Sequence, residues 1–163
     1  MSNSDLLQRS LAAVWHPCTQ MKQHATDGEA LPLVPIARGQ GVWLFDFDGR
    51  RYLDGISSWW VNLFGHAHPH ISEAVAQQAA TLEHVILAGF THEPAVTLAE
   101  RLLALAGEPF AKVLYADSGS SAIEIALKLS FHYWRNCGEA ARTRFVVLDG
   151  GYHGETLGAL SMT

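Results

Sequence analysis

A chain of 163 residues is long enough for one domain, and a compact fold of that length buries about 68–70% of its unfolded surface. With 48% apolar residues it is not a disordered chain, and a net charge of −5 with no basic stripe argues against nucleic acid as a partner. The polar start at Met1–Asp5, the lack of a transmembrane-length apolar run, and two cysteines without CxxC spacing, Cys18 and Cys137, make a reducing cytoplasm the expected compartment.

In chain order, residues 4–15 read as a short helix, with Ser4 as N-cap and Leu7, Leu11 and Val14 at helical spacing. His16-Pro17 ends it, and residues 23–34, with Asp27-Gly28, Pro32 and Pro35 at or near their end, read as loop. Residues 36–56 predict a small antiparallel meander, with a turn at Gly39-Gln40-Gly41 and a hairpin at Asp48-Gly49. The stretch Gly55–Gly65 reads as an ordered loop rich in aromatic and small residues. Helices are predicted at about 70–82 and 93–106, the second stopped by Gly107-Glu108-Pro109. A strand at 112–116, a helix at 120–136, a strand at 144–149 and a helix from 155 follow, an order that predicts a parallel α/β sheet. In the helix at 120–136 Ile123, Leu127, Phe131 and Trp134 share a face, and Glu124 and Lys128 are spaced as an i,i+4 pair. The chain stops at Gly158–Thr163 just after its last helix begins, so a longer protein is expected.

Asp117-Ser118-Gly119-Ser120-Ser121 lies between the first of those strands and its helix. Unpaired N–H groups, the helix dipole, serine hydroxyls and a glycine together suit a phosphate. A serine-capped turn without a ligand is the alternative. Neither GxxxxGK[ST] nor GxGxxG is present, which excludes the nucleotide P-loop and the dinucleotide fingerprint. A second turn, Gly150–Thr156, follows the next strand at its carboxyl end, where α/β sheets bind ligands. There Tyr152 offers a ring to a planar cofactor and His153 a donor or an acid–base group. His66, His68 and His70 alternate, but Pro69 interrupts them and no cysteine joins them, so no metal is expected. Trp59 and Trp60 suit either packing or the wall of an apolar substrate pocket.

In family order, these strings resemble the class III, fold type I, pyridoxal phosphate-dependent aminotransferases. They are Trp15-His16-Pro17, Asp48-Gly49-Arg50-Arg51, Asp54–Trp60, Gly65-His66 with His68-Pro69, Thr91-His92, Ala116–Ser120 and Gly151–Gly154. Trp-His-Pro and Ser-Ser-Trp-Trp point to the branch that serves biotin synthesis, with S-adenosylmethionine as amino donor and 8-amino-7-oxononanoate as acceptor. The resemblance implies an N-terminal segment with helix and meander over 1–56, and the first part of the cofactor-binding large domain over 57–163. It implies that Ser118, Gly119, Ser120, Tyr152 and His153 bind pyridoxal phosphate, and that Trp59, Tyr152 and Cys18 meet substrate. It also implies a homodimer with the active site at the subunit interface. Two positions depart from the family: Cys18 stands where many relatives carry Tyr or Phe, and Glu155 where Asp is usual.

The family's reaction needs a lysine that holds the cofactor and a carboxylate beside the pyridine nitrogen. Lys22, Lys112 and Lys128 are the only lysines here, and none matches the family position. The resemblance therefore implies that these groups lie beyond Thr163 and that this chain alone is inactive. Another class III transaminase acting on ω-amino acids, or a non-catalytic phosphate-binding module, are the alternatives.

Overall fold

The computed structural model describes residues 2–24 and 32–163, so the Asp27-Gly28 loop signal lies outside the described residues. The chain divides into two compact units, residues 1–85 and 86–163.

In the first unit, α1 spans Asn3–Ala13. Its N-cap is Ser2 and not Ser4, because the Ser2 hydroxyl accepts the Asp5 N–H while Ser4 already lies in the first turn and pairs with the Ser2 hydroxyl. The helix stops two residues early, with Val14 extended. His16 folds back to reach Ser10 Oγ at 3.0 Å. A 3-10 turn follows at Met21–His24.

The meander forms as expected. β1 (Ile36–Gln40), β2 (Trp43–Asp46) and β3 (Arg51–Leu53) make one antiparallel sheet in that order, with Gln40 opposite Trp43 and Phe45 opposite Arg51. The Arg38 guanidinium lies 3.5 Å from the ring centre of its partner Phe45. Asp46 is 4% exposed, and its Oδ1 accepts the N–H groups of Asp48 and Arg50 while Oδ2 accepts the Tyr52 hydroxyl. Burial works against the charge, but donors from Arg50, Tyr52, Asn3 and Asp48 outweigh it and hold the carboxyl below its usual range. Asn3 ties α1 to this hairpin, accepting the Phe47 N–H and donating to Asp48. After the sheet come a single turn, α2 (Ser57–Trp60), and α3 (Pro69–Thr81), whose first residue is Pro69 with His68 as N-cap.

The second unit holds α4 (Glu93–Ala106), closed by Gly107 at φ +67°, then α5 (Gly119–Asn136) and one turn, α6 (Leu157–Leu160). The strands expected at 112–116 and 144–149 are not hydrogen-bonded as strands: both segments run without a ladder. A strand exists only through pairing, and each of these lines an open cleft with a helix instead. The Tyr115 hydroxyl donates to the Ala95 carbonyl of α4 at 2.5 Å, and Phe145–Leu148 face Ile123 and Leu127 of α5. The predicted parallel sheet is thus absent among the described residues.

A compact protein of this mass exposes roughly 8,000 Å²; this chain exposes 13,502 Å². Large apolar side chains such as Trp60, Leu105, Val146 and Leu148 stand open, which is how helices and would-be strands look without the layers that cover them.

Candidate functional site

Ser118 begins α5 in extended conformation, and its hydroxyl accepts the Ser121 N–H at 3.1 Å and donates to Ser121 Oγ at 3.0 Å. That cap commits the Ser118 side chain to the helix. The Ala122 N–H goes to the Ser118 carbonyl. The N–H groups of Gly119 and Ser120 remain, and among the described residues no partner occupies them. A side chain at Gly119 would meet nothing within 4 Å, so the turn is open on that side. Asp117 is held below the usual carboxylate range, first by the Ser121 hydroxyl and then by backbone N–H groups. The result is two convergent donors at the positive end of an 18-residue helix, with open space before them.

The second glycine-rich turn is fastened to the first. Ser120 Oγ accepts the Thr156 N–H at 3.0 Å and lies 2.8 Å from Thr156 Oγ1. Gly154, at φ +124°, is the point of closest approach: a Cβ there would lie 2.3 Å from Ser120 Oγ and 2.8 Å from Ser120 Cα. Tyr152 is 60% exposed and its hydroxyl donates to Glu155 Oε1 at 2.9 Å. Glu155 in place of the family's Asp thus has a definite task here, since it fixes the phenol. His153 is half-buried, lining the cleft between α5 and residues 145–148. Its Nε2 would touch a Cβ on Gly151 at 3.1 Å, so the ring supports the turn from one side.

Trp59 and Cys18 lie in the first unit. Four consecutive residues, Ser57, Ser58, Trp59 and Trp60, have φ of +50°, +47°, +68° and +69°. This is a left-handed turn of side-chain-bearing residues, which L-amino acids disfavour by about 1–2 kcal/mol each. Asp54 holds it. Its Oδ1 accepts the Ser58 N–H at 2.9 Å, and its Oδ2 accepts the Ser58 hydroxyl and His66 Nε2, each at 2.7 Å. Ser58 donors first, and His66 next, bring the Asp54 pKa down to about 2. His66 is itself pinned to the sheet by paired backbone bonds with Gly41 and by contact with Gly39, where a Cβ would lie 2.6 Å from His66 Cβ. The turn presents Trp59 at 60% and Trp60 at 77% exposure, rings 6.1 Å apart. Cys18 is exposed and unpaired with another cysteine, in a turn after Pro17 at φ +52°.

Sequence reasoning did not find Asp54, His66, Thr156 or Glu124. Glu124 is spaced as a partner for Lys128, yet its carboxylate accepts the Gly158 N–H at 2.6 Å. The only available signal was that Ser120 and Glu124 are themselves four apart on one helix.

Comparison with known proteins matches residues 24–163 to aminotransferase class-III. The chain is 47% identical over 161 residues to adenosylmethionine-8-amino-7-oxononanoate aminotransferase of Helicobacter pylori, covering 95% of this chain and 36% of that protein. It is 48% identical over 149 residues to the protein of the same name from Synechococcus elongatus, covering 91% and 34%. The crystal structure of the Methanocaldococcus jannaschii protein of that name superposes with a TM-score of 0.90 at 38% identity, over 98% of this chain and 36% of that one. An omega transaminase from Pseudomonas jessenii gives 0.88 at 30% identity, over 97% and 34%. The chain therefore spans about a third of the length of the relatives it matches. The α/β fold is that of fold type I aminotransferases over this stretch. With the match running from residue 24 to residue 163, the chain belongs to the class III aminotransferases.

Proposed function

We propose that the chain is part of a pyridoxal phosphate-dependent aminotransferase of biotin synthesis. The whole protein transfers the amino group of S-adenosylmethionine to 8-amino-7-oxononanoate, giving 7,8-diaminononanoate. The cofactor reading rests on one observation: the free N–H groups of Gly119 and Ser120 at the N-terminus of α5, open at Gly119. The substrate reading rests on the names of the relatives at 47–48% identity. In the whole protein, residues 1–56 are the N-terminal segment and 57–163 the first part of the cofactor domain. It works in the cytoplasm as a homodimer.

The residues present fit the cofactor. A doubly charged phosphate matches two free N–H donors and a helix dipole. Bound pyridoxal phosphate supplies an aldehyde carbon that carries the amino group and a ring that accepts the electron pair of the substrate carbon. Gly119 and Ser120 anchor the phosphate, and the Ser118 cap fixes the direction of their N–H groups. Tyr152, its phenol held by Glu155, would offer its ring to the cofactor and shield it from water. His153 steadies that turn from behind through Gly151. Trp59, on the turn held by Asp54, walls the substrate pocket. Cys18 contributes a thiol in place of an aromatic side chain, so hydrogen bonding there is weaker and the pocket wider.

Proton transfer at the substrate carbon needs a lysine. Lys22 lies in a 3-10 turn, Lys112 in the segment docked on α4, and Lys128 on an exposed part of α5. None adjoins the Gly119–Ser120 donors in sequence or on the helix. Borohydride treatment of the 163-residue chain with pyridoxal phosphate is expected to leave all three unmodified beyond the level of the denatured chain, by peptide mass spectrometry. A specific adduct at one of them would place the reactive lysine in this chain.

The substrate reading is tested on the full chain by following 7,8-diaminononanoate formation with S-adenosylmethionine, alanine or glutamate as donor. Formation from S-adenosylmethionine alone is expected. Equal rates from alanine would make the protein an ω-amino acid transaminase.

A further inference from the structure

Glu124 sits one turn after Ser120 on α5, so both side chains rise from one stripe of the helix. Its Oε1 accepts the Gly158 N–H at 2.6 Å, and the Thr156 hydroxyl beside it, with backbone N–H groups of α6, holds its carboxyl below the usual range. It is therefore the N-terminal cap of the short α6, supplied from another helix. Ser120 Oγ accepts the Thr156 N–H at 3.0 Å and lies 2.8 Å from Thr156 Oγ1, where either hydroxyl can donate. Ser120, Thr156 and Glu124 thus tie the start of α5 to the start of α6. Two glycines make the approach possible. A Cβ at Gly154 would strike Ser120, and one at Gly158 would lie 2.3 Å from Glu124 Oε2. The two turns that carry the cofactor residues are joined through this relay, and Thr156 sits at its centre.

We infer that Glu124 and Thr156 are positioning residues for phosphate recognition, holding the Ser120 end of the donor pair in one fixed geometry. Neither touches the cofactor. This rests on the reading of Gly119 and Ser120 as the phosphate anchor. Thr156→Val keeps the shape and deletes the hydroxyl, removing one of the two contacts that Ser120 Oγ makes with residue 156. Glu124→Gln removes the charge that strengthens the bond from the Gly158 N–H. Each change acts on the phosphate end and leaves the ring end of the site alone.

The test is the affinity of the full chain, freed of cofactor, for pyridoxal phosphate and for pyridoxal, the same aldehyde without phosphate. Thr156→Val and Glu124→Gln are each expected to weaken pyridoxal phosphate about tenfold, the cost of one lost buried hydrogen bond, with pyridoxal changed less than twofold. Thr156→Ser, which restores the hydroxyl, is expected to bind both like the parent. Equal losses for the two ligands, or no loss at all, would overturn the inference. If Glu124→Gln does not fold, the near-isosteric Thr156→Val and its serine rescue carry the same comparison. If the parent itself binds pyridoxal as tightly as pyridoxal phosphate, the phosphate anchor fails first, and independently of the relay.

Discussion

Gly154→Ala is expected to cost the full chain about 2–5 kcal/mol in urea unfolding, enough to remove much of the stability of an ordinary domain. Two effects add. The backbone at φ +124° is a conformation that a residue with a Cβ rarely adopts, at roughly 1–3 kcal/mol. The new Cβ also lands 2.5 Å from Ser120 Cβ and 2.8 Å from its Cα, so the start of α5 must move rather than a flexible side-chain tip. Moving it breaks the Thr156 N–H bond to Ser120 Oγ and turns the Gly119 and Ser120 donors off the phosphate. Gly150→Ala is the control. It also has positive φ, at +70°, but a Cβ there meets nothing within 4 Å. It should cost only about 1–2 kcal/mol and leave pyridoxal phosphate affinity unchanged. Equal losses in the two variants would mean that Gly154 matters for backbone freedom alone.

Asp54→Ala is expected to release the left-handed turn at Ser57–Trp60. The turn persists because one carboxylate takes two donors from Ser58 and ties them to His66, which the sheet already holds at Gly41. Without it, four strained residues relax toward ordinary φ and Trp59 leaves its place. A Tm drop of several degrees and loss of the circular dichroism signal from the coupled Trp59 and Trp60 rings should mark the change. Loss of turnover with the cofactor still bound should accompany it. The same contact carries a pH dependence. The Asp54 pKa is depressed from 3.8 to about 2, so its contribution to stability is fully present above pH 3.8 and is lost as pH falls toward 2. Asp54→Asn should flatten that acid limb. An unchanged ring signal in Asp54→Ala would show that the turn stands without its carboxylate.

The parts of this structure legible in the sequence are those written in local chemistry. The Asp48-Gly49 hairpin, Pro69 at the first turn of α3, Gly107 as the stop of α4 and the apolar face of α5 each follow from residues a few positions apart. The Ser118–Ser120 turn was legible for the same reason. What was not legible depends on distant partners. Val113–Tyr115 and Phe145–Leu148 have strand composition, but a ladder needs neighbouring strands, and each segment lies on a helix instead. Glu124 meets Gly158 across more than thirty residues, so its spacing from Lys128 was misleading. Asp54 reads as the end of a strand, and its task appears only once His66 is bridged back to Gly41. The left-handed turn at Ser57–Trp60 contradicts the local preference of every residue in it, so no propensity points there.

The most direct test of the phosphate anchor is the amide resonances of Gly119 and Ser120 in the isotopically labelled full chain, before and after adding pyridoxal phosphate. Both N–H groups should move strongly downfield with pyridoxal phosphate and stay within the ordinary spread with pyridoxal, because only the phosphate accepts from them. Unmoved Gly119 and Ser120 amides in a protein saturated with the cofactor would place the phosphate elsewhere.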